Sequence, residues 1–186
     1  MTLLPKSNFT ANLLALNRTR VYGFKKWLIK AGMAYGDQGK WWGGKTARLA
    51  DHEGLDFAAY FDREGKERQL GSGIVVPPLY RGRLIGLRDD FLGRTVIVAH
   101  DIITNHLEQI LHGFYAHLIP ATDLKTGETV SETAGLGTIA PGSKSCPSHL
   151  HISTVWITPG YPLEQFNWSG FTERDGFQPC DPLDFL

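Results

Sequence analysis

Two of the chain's seven histidines stand at 149 and 151, separated only by Leu150, in a run (HLHISTVWIT) that reads as a β-strand. Successive strand side chains alternate faces, so His149 and His151 project together while Leu150 points into the core. Two neighbouring imidazoles are a suitable wall for a metal site. A second set, H-E-G-L-D-F at 52–57, offers an imidazole and a carboxylate, His52 and Asp56, four residues apart. In a straight strand their Cα atoms would lie about 13 Å apart, too far for two ligands that each reach a zinc ion at about 2 Å. The backbone between them must bend, and Gly54 is expected to supply the φ values of that bend. A helical turn would also bring the pair together, but a glycine followed by F-A-A-Y-F reads as a strand leaving a turn.

Each pattern alone is weak. Combined, they offer His, Asp and His, three nitrogen or oxygen ligands with a fourth tetrahedral position left for water, the count that separates a catalytic zinc from a structural one. Whichever of His149 and His151 is not a ligand can serve as acid or base beside the metal. His117, in Y-A-H-L, is placed to converge from a neighbouring strand.

The elements that must position these groups are short and β-favouring. From residue 41 onward, LDFAAYF, GIVVPP, RLIGL, RTVIVAH, GFYAHL, GLGTIA and HLHISTVWIT are rich in Val, Ile and aromatics and are separated by Gly or Pro. That texture predicts a mainly β, antiparallel domain over 41–186. Residues 1–40 read as an N-terminal arm, with one or two short helices between about 12 and 33 and an exposed glycine-rich loop over 35–44. The Pro- and aromatic-laden tail after Ile157 reads as an ordered cover packed by its rings.

With 19 basic and 19 acidic residues there is no overall field to collect nucleic acid, which is not an expected partner. Every charged residue before Asp37 is basic, which suits a solvated face or an arm resting on an anionic surface. Cys146 and Cys180 are too few for a disulfide framework. No stretch has the length of a membrane span, and the opening residues lack the order of a secretory signal.

At this point the chain resembles the lysostaphin-type, or LytM-like, zinc peptidases. The ordered signature H-x-x-x-D, Y-x-H, H-x-H appears as His52 to Asp56, Tyr115-Ala-His117 and His149-Leu-His151. The glycine and valine texture of VIVAH and GLGTIA and the closing DPLDFL extend the likeness over roughly residues 45–186. The resemblance implies an antiparallel β-sheet groove, a Zn2+ ion held by His52, Asp56 and His151, and His117 and His149 flanking a zinc-activated water. It further implies a monomeric endopeptidase acting on bacterial peptidoglycan, in the periplasm or outside the cell.

Some features depart from that pattern. No tyrosine nearer than Tyr35 precedes His52, and PGSKSCPS replaces the usual glycine- and serine-rich turn before H-x-H, bringing Cys146 close. The charged segment 62–69 and the stretch from His100 to His112 are expected to border the groove and alter the substrate. His100, His106 and His112 match no ligand position and are expected at the surface or in a supporting role. Trp41, Trp42, Trp156 and Trp168 are candidates to grip substrate, with core packing the commoner use of such rings. Two alternatives stand beside the endopeptidase: a non-catalytic binding or activating module of the same fold, and another zinc peptidase such as a D-alanyl-D-alanine peptidase.

Overall fold

The computed structural model describes residues 5–44, 47–163, 166, 168 and 171–186. Helix α1 (Phe9–Leu16) opens the chain, followed by strand β1 (Phe24–Trp27). Strands β2 (Leu55–Phe57), β3 (Ala59–Asp62), β4 (Glu67–Gln69) and β5 (Val75–Val76) come next. The long strands β6 (Gly82–Asp89), β7 (Arg94–Thr104) and β8 (Ile110–Pro120) form a meander, followed by the short β9 (Thr129–Val130) and β10 (Gly137–Ile139). Strand β11 (Leu150–Ile157), strand β12 (Phe177–Cys180) and a 3-10 turn over Pro182–Phe185 close the chain.

The mainly β, antiparallel architecture expected from the sequence is the one found. The larger sheet runs β12-β11-β8-β7-β6-β9, with β2 paired to β11, and β10 paired to both β8 and β5. A smaller sheet runs β1-β3-β4. No helix among the described residues is long and apolar enough to cross a membrane.

Each face of the large sheet buries its own set of side chains. Leu111 and Tyr115 of β8, Val96 and Val98 of β7, and Leu150, Ile152 and Trp156 of β11 pack on one face with α1 and the 3-10 turn. Phe114, Ile97, Val155 and Ile157 point the other way, under Phe166, Phe171 and Phe177 of the tail. Ring centroids of Phe114 lie 4.9 Å from Phe166 and 5.5 Å from Phe171, so the described part of the tail is a ring-packed cover. Glu164, Gln165, Asn167, Ser169 and Gly170 of that tail lie outside the described residues, as do Lys45 and Thr46.

The N-terminal segment differs from the expected helices. The helix begins earlier than the apolar periodicity suggested, and Asn17 ends it: its amide donates to the carbonyls of Leu13 and Val75, and its Oδ1 accepts the Val75 N–H. Gly23 then adopts φ +66, a conformation that breaks helical continuity, and residues 24–27 join β3 as a strand. The reason is tertiary: Phe24 and Trp27 pack on the rings of Tyr60 and Phe57 at 5.6 and 4.8 Å.

His100 and His112 are buried in the body rather than exposed. His100 Nδ1 faces the Arg81 carbonyl at 3.3 Å and Nε2 faces the Tyr115 hydroxyl at 3.1 Å, while that hydroxyl accepts the Leu79 N–H at 2.7 Å. Burial pushes both rings down to about 4 from an ordinary 6.5. Between those values the unfolded state binds more protons than the folded one, so stability falls as pH drops from about 6.5 towards 4. In the chelated protein, His100→Gln is expected to lower stability at pH 7. It should also flatten the acid slope of the unfolding free energy, read from denaturant titrations, by up to about 1.4 kcal/mol per pH unit. An unchanged slope would show that His100 does not carry this dependence.

Candidate metal centre

The four residues that bring His52 to β11 are His52, Glu53, Gly54 and Leu55. Strand β2 pairs antiparallel with β11, setting Asp56 opposite His151 and Leu55 opposite Ile152. The bend expected at Gly54 exists, but its cause is different. Gly54 is not in the left-handed region; its hydrogen faces β11, where a Cβ would run into the Ile152 carbonyl and stand 2.6 Å from His151 Nε2. The site needs glycine for closeness, not for φ.

This packing brings His52 Nε2, Asp56 Oδ1 and His151 Nδ1 together, each on a buried residue. The edges of the triangle are 2.8 Å (Asp56 to His151), 3.1 Å (His52 to His151) and 3.3 Å (His52 to Asp56). Ligands at about 2.0–2.1 Å from a tetrahedral zinc are separated by about 3.3 Å, so the spacing fits such an ion with slight expansion. Burial pushes the Asp56 carboxyl up, but the close approach of His151 and His52 outweighs it and holds it well below the usual carboxylate range.

The surroundings fix which atoms face inward. His52 Nδ1 lies 2.9 Å from the Ala34 carbonyl, which can only accept, so the ring hydrogen sits there and the Nε2 lone pair faces the triangle. His151 Nε2 lies 2.8 Å from Ser153 Oγ, an arrangement that leaves Nδ1 for the triangle when Nε2–H donates. On Asp56, Trp41 Nε1–H donates to Oδ2 at 2.7 Å and Arg48 approaches the same oxygen at 3.6 Å, leaving Oδ1 to face the histidines. Met33 O accepts the Asp56 N–H. Residues before 40 thus contribute backbone braces but no member of the triangle.

His149 occupies the next position on the same face. Its Nδ1 lies 2.8 Å from the Pro147 carbonyl, so Nε2 presents a lone pair; that atom is buried and unpartnered, 3.6 Å from Asp56 Oδ1. Burial pushes this ring down to about 4, so it is neutral at pH 7. Lone pairs of His52 and His149 and a carboxylate oxygen thus converge where their proton inventory leaves electron density unopposed. A cation fits that donor set.

His117 reaches the same cleft by an irregularity. Regular alternation would place it on the face of Tyr115, in the core. Between Val96 opposite Tyr115 and Arg94 opposite Leu118, however, β8 carries an extra residue, and His117 adopts φ +64. This bulge puts Tyr115 and Leu118 in the core and turns His117 outward, 4.7 Å from the His149 ring and 5.9 Å from that of His151. Its Nδ1 lies 2.9 Å from Asp90 Oδ1. Asp90 is a member of the cleft that the sequence reading missed. Nothing in its local pattern, D-D-F-L-G, distinguishes it from a turn residue.

The cleft, of about 240 Å³, has Trp42, Glu53, Phe91 and Trp168 among its walls. Trp156 instead packs on Phe185 in the core. Neither the 62–69 hairpin nor the 100–112 stretch borders the cleft, contrary to expectation. The turn beyond Thr104 lies at the opposite end of β7 and β8 from His117. Both cysteines are free, and burial pushes the Cys146 thiol up to about 11, which keeps it protonated and unlike a thiolate ligand.

No family model matches the chain, and no curated protein matches it in sequence. Among solved structures, the chain is similar to the catalytic domain of the antimicrobial peptidase lysostaphin from Staphylococcus simulans. The TM-score is 0.51 and the identity 19%, over 84% of this chain and 91% of that one. Against the longer lysostaphin chain the TM-score is also 0.51 at 18% identity, covering 100% of this chain and 54% of that one. This chain therefore spans about half the length of that enzyme. At such identity the likeness is one of fold.

Proposed function

We propose, from the lysostaphin-type peptidase fold that this chain has, that it is a zinc-dependent endopeptidase cleaving peptide bonds of bacterial peptidoglycan. The observation that carries the reading is the convergence of His52 Nε2, Asp56 Oδ1 and His151 Nδ1 within 3.3 Å of one another, beside the unpartnered Nε2 of His149. In this reading His52, Asp56 and His151 hold the ion. When bound, zinc would bring the pKa of a water near 7 and polarise the scissile carbonyl.

The chain's own groups divide the remaining work. His149, with its hydrogen on Nδ1, offers Nε2 to accept a proton from the attacking water. His117 presents Nε2 in the same cleft, 4.7 Å ring to ring from His149, where it can accept a hydrogen bond from the attacking water and, once protonated by it, pass that proton to the leaving amine. Trp42, Phe91 and Trp168 narrow the space around the reacting bond and exclude bulk water. The boundary near residue 40 is one of function rather than packing, since the arm's backbone holds His52 and Asp56 in place. A monomer acting outside the cytoplasmic membrane completes the proposal.

Elemental analysis of the purified protein, with release of new amines from purified peptidoglycan before and after chelation, tests this directly. The expected result is about one zinc per chain and hydrolysis that chelation stops and zinc restores. Bound zinc without hydrolysis would favour the non-catalytic module. No zinc under metal-replete conditions would overturn the site.

A further inference from the structure

We infer that Asp90 is a positioning residue whose carboxylate fixes the tautomer and direction of the His117 ring, so that Nε2 faces the cleft. The inference rests on the peptidase reading and extends it to a residue on a separate hairpin. Asp90 directly follows β6, in the turn into β7, and its side chain is 2% exposed. Oδ1 stands 2.9 Å from His117 Nδ1, and Oδ2 accepts the backbone N–H of the same residue at 2.9 Å. The hydrogen bonds around Asp90 outweigh its burial and hold the carboxyl below the ordinary range, so it is ionised and has no proton to give. The hydrogen between the two groups therefore belongs to His117 Nδ1, and Nε2 is left to the site.

The carboxylate is itself immobilised. The N–H groups of Leu92 and Gly93 donate to Oδ1 at 3.0 and 2.9 Å, and the Thr95 hydroxyl donates to Oδ2 at 3.0 Å. Asp90 cannot turn away from His117 without opening the β6–β7 turn. This two-point hold, on ring and backbone together, accounts for the conformation of His117. A non-glycine residue at φ +64 is strained backbone that persists only where its neighbours over-determine it. The Ala140 N–H, donating to the His117 carbonyl at 2.8 Å, fixes the other side of the same residue. The Phe91 ring, 4.5 Å from the imidazole, lines the cleft from the same turn. One turn thus builds the hairpin and aims the histidine. Such hydrogen-bonded carboxylates commonly set ring orientation beside a metal.

The test uses Asp90→Ser and Thr95→Val in the full chain. Serine keeps an oxygen that can cap the turn but is too short to reach the imidazole. The Thr95→Val change removes a bond to the same carboxylate while leaving the ring contact alone. Long-range 1H–15N correlation spectra show which nitrogen of His117 carries the proton. In Asp90→Ser the Nδ1–H form is expected to give way to Nε2–H or a mixture, with kcat on peptidoglycan down about 10–100-fold and KM little changed. The Thr95→Val protein is expected to be less stable yet keep both the tautomer and kcat. Retention of Nδ1–H in Asp90→Ser would overturn the inference, as would equal loss of the tautomer in both variants. If the unsubstituted protein hydrolyses no peptide, the peptidase reading falls, while the tautomer comparison still decides the role of Asp90.

Discussion

His151→Ala is expected to lose bound metal and hydrolysis together, whereas His149→Ala keeps much of the metal and loses turnover. His149 stands immediately before β11 and His151 within it; both line the cleft and both are buried, so side-chain removal perturbs packing comparably. Their nitrogens are presented differently. His151 Nδ1 is one corner of the triangle, 2.8 and 3.1 Å from the other two. Its loss leaves two protein ligands, and a buried carboxylate without its strongest partner. His149 Nε2 stands outside the triangle, 3.6 Å from Asp56 Oδ1. Removing it leaves three ligands in place and deletes a proton acceptor, a loss of about 10²–10⁴-fold in kcat for a group of that kind. Metal content by elemental analysis, read beside kcat, separates the two effects. Equal metal loss in both variants would show that the division between ligand and base is misdrawn.

Residues that obey a short-range rule were legible in the sequence; those that depend on an irregularity or a distant partner were not. The H-x-H spacing, with Leu150 in the core, follows from alternation alone: His149 immediately before β11 and His151 within it both face the cleft. The antiparallel body follows from β-branched runs and turn residues. His117 was found by its motif, but alternation would have put it in the core; only the bulge opposite Arg94 and Val96, invisible in Y-A-H-L, turns it outward. Asp90 could not be found, because its function depends on pairing between β7 and β8 that brings residue 117 to residue 90. Strand β1 reads as helix because a spacing of three puts Phe24 and Trp27 on one helical face; in the strand, an irregularity between Phe24 and Lys26 lets both pack on the rings of Tyr60 and Phe57. The tryptophans divide in the same way. Trp41 donates to Asp56 and Trp42 walls the cleft, while Trp156 is core, and their local sequences do not distinguish these fates.

Gly54→Ala is expected to cost more than its single methyl suggests, because the added carbon enters the space that holds the site together. A Cβ at residue 54 would press on the Ile152 carbonyl and stand 2.6 Å from His151 Nε2 and 2.7 Å from Ser153 Oγ. The first of these is strand backbone, paired on its other side with β8, and cannot retreat cheaply. The other two atoms form the contact that orients His151. Relief therefore requires β2 to withdraw from β11, which carries His52 and Asp56 away from His151, since the Asp56–His151 pairing is part of the same ladder. Overpacking of this sort costs about 1–3 kcal/mol in stability. A shift near 1 Å in the reacting groups can cost about 10²-fold in rate. The variant is thus expected to fold with a reduced denaturant midpoint, to bind zinc more weakly, and to lose kcat out of proportion to its stability. The comparison that isolates the cause is Gly65→Ala, at the β3–β4 turn, where φ is +78 but nothing lies within 4 Å of the added carbon. That change strains only the local backbone and should leave zinc affinity intact. If Gly54→Ala bound zinc as tightly as the unsubstituted protein, close approach of β2 to β11 would not be what assembles the triangle.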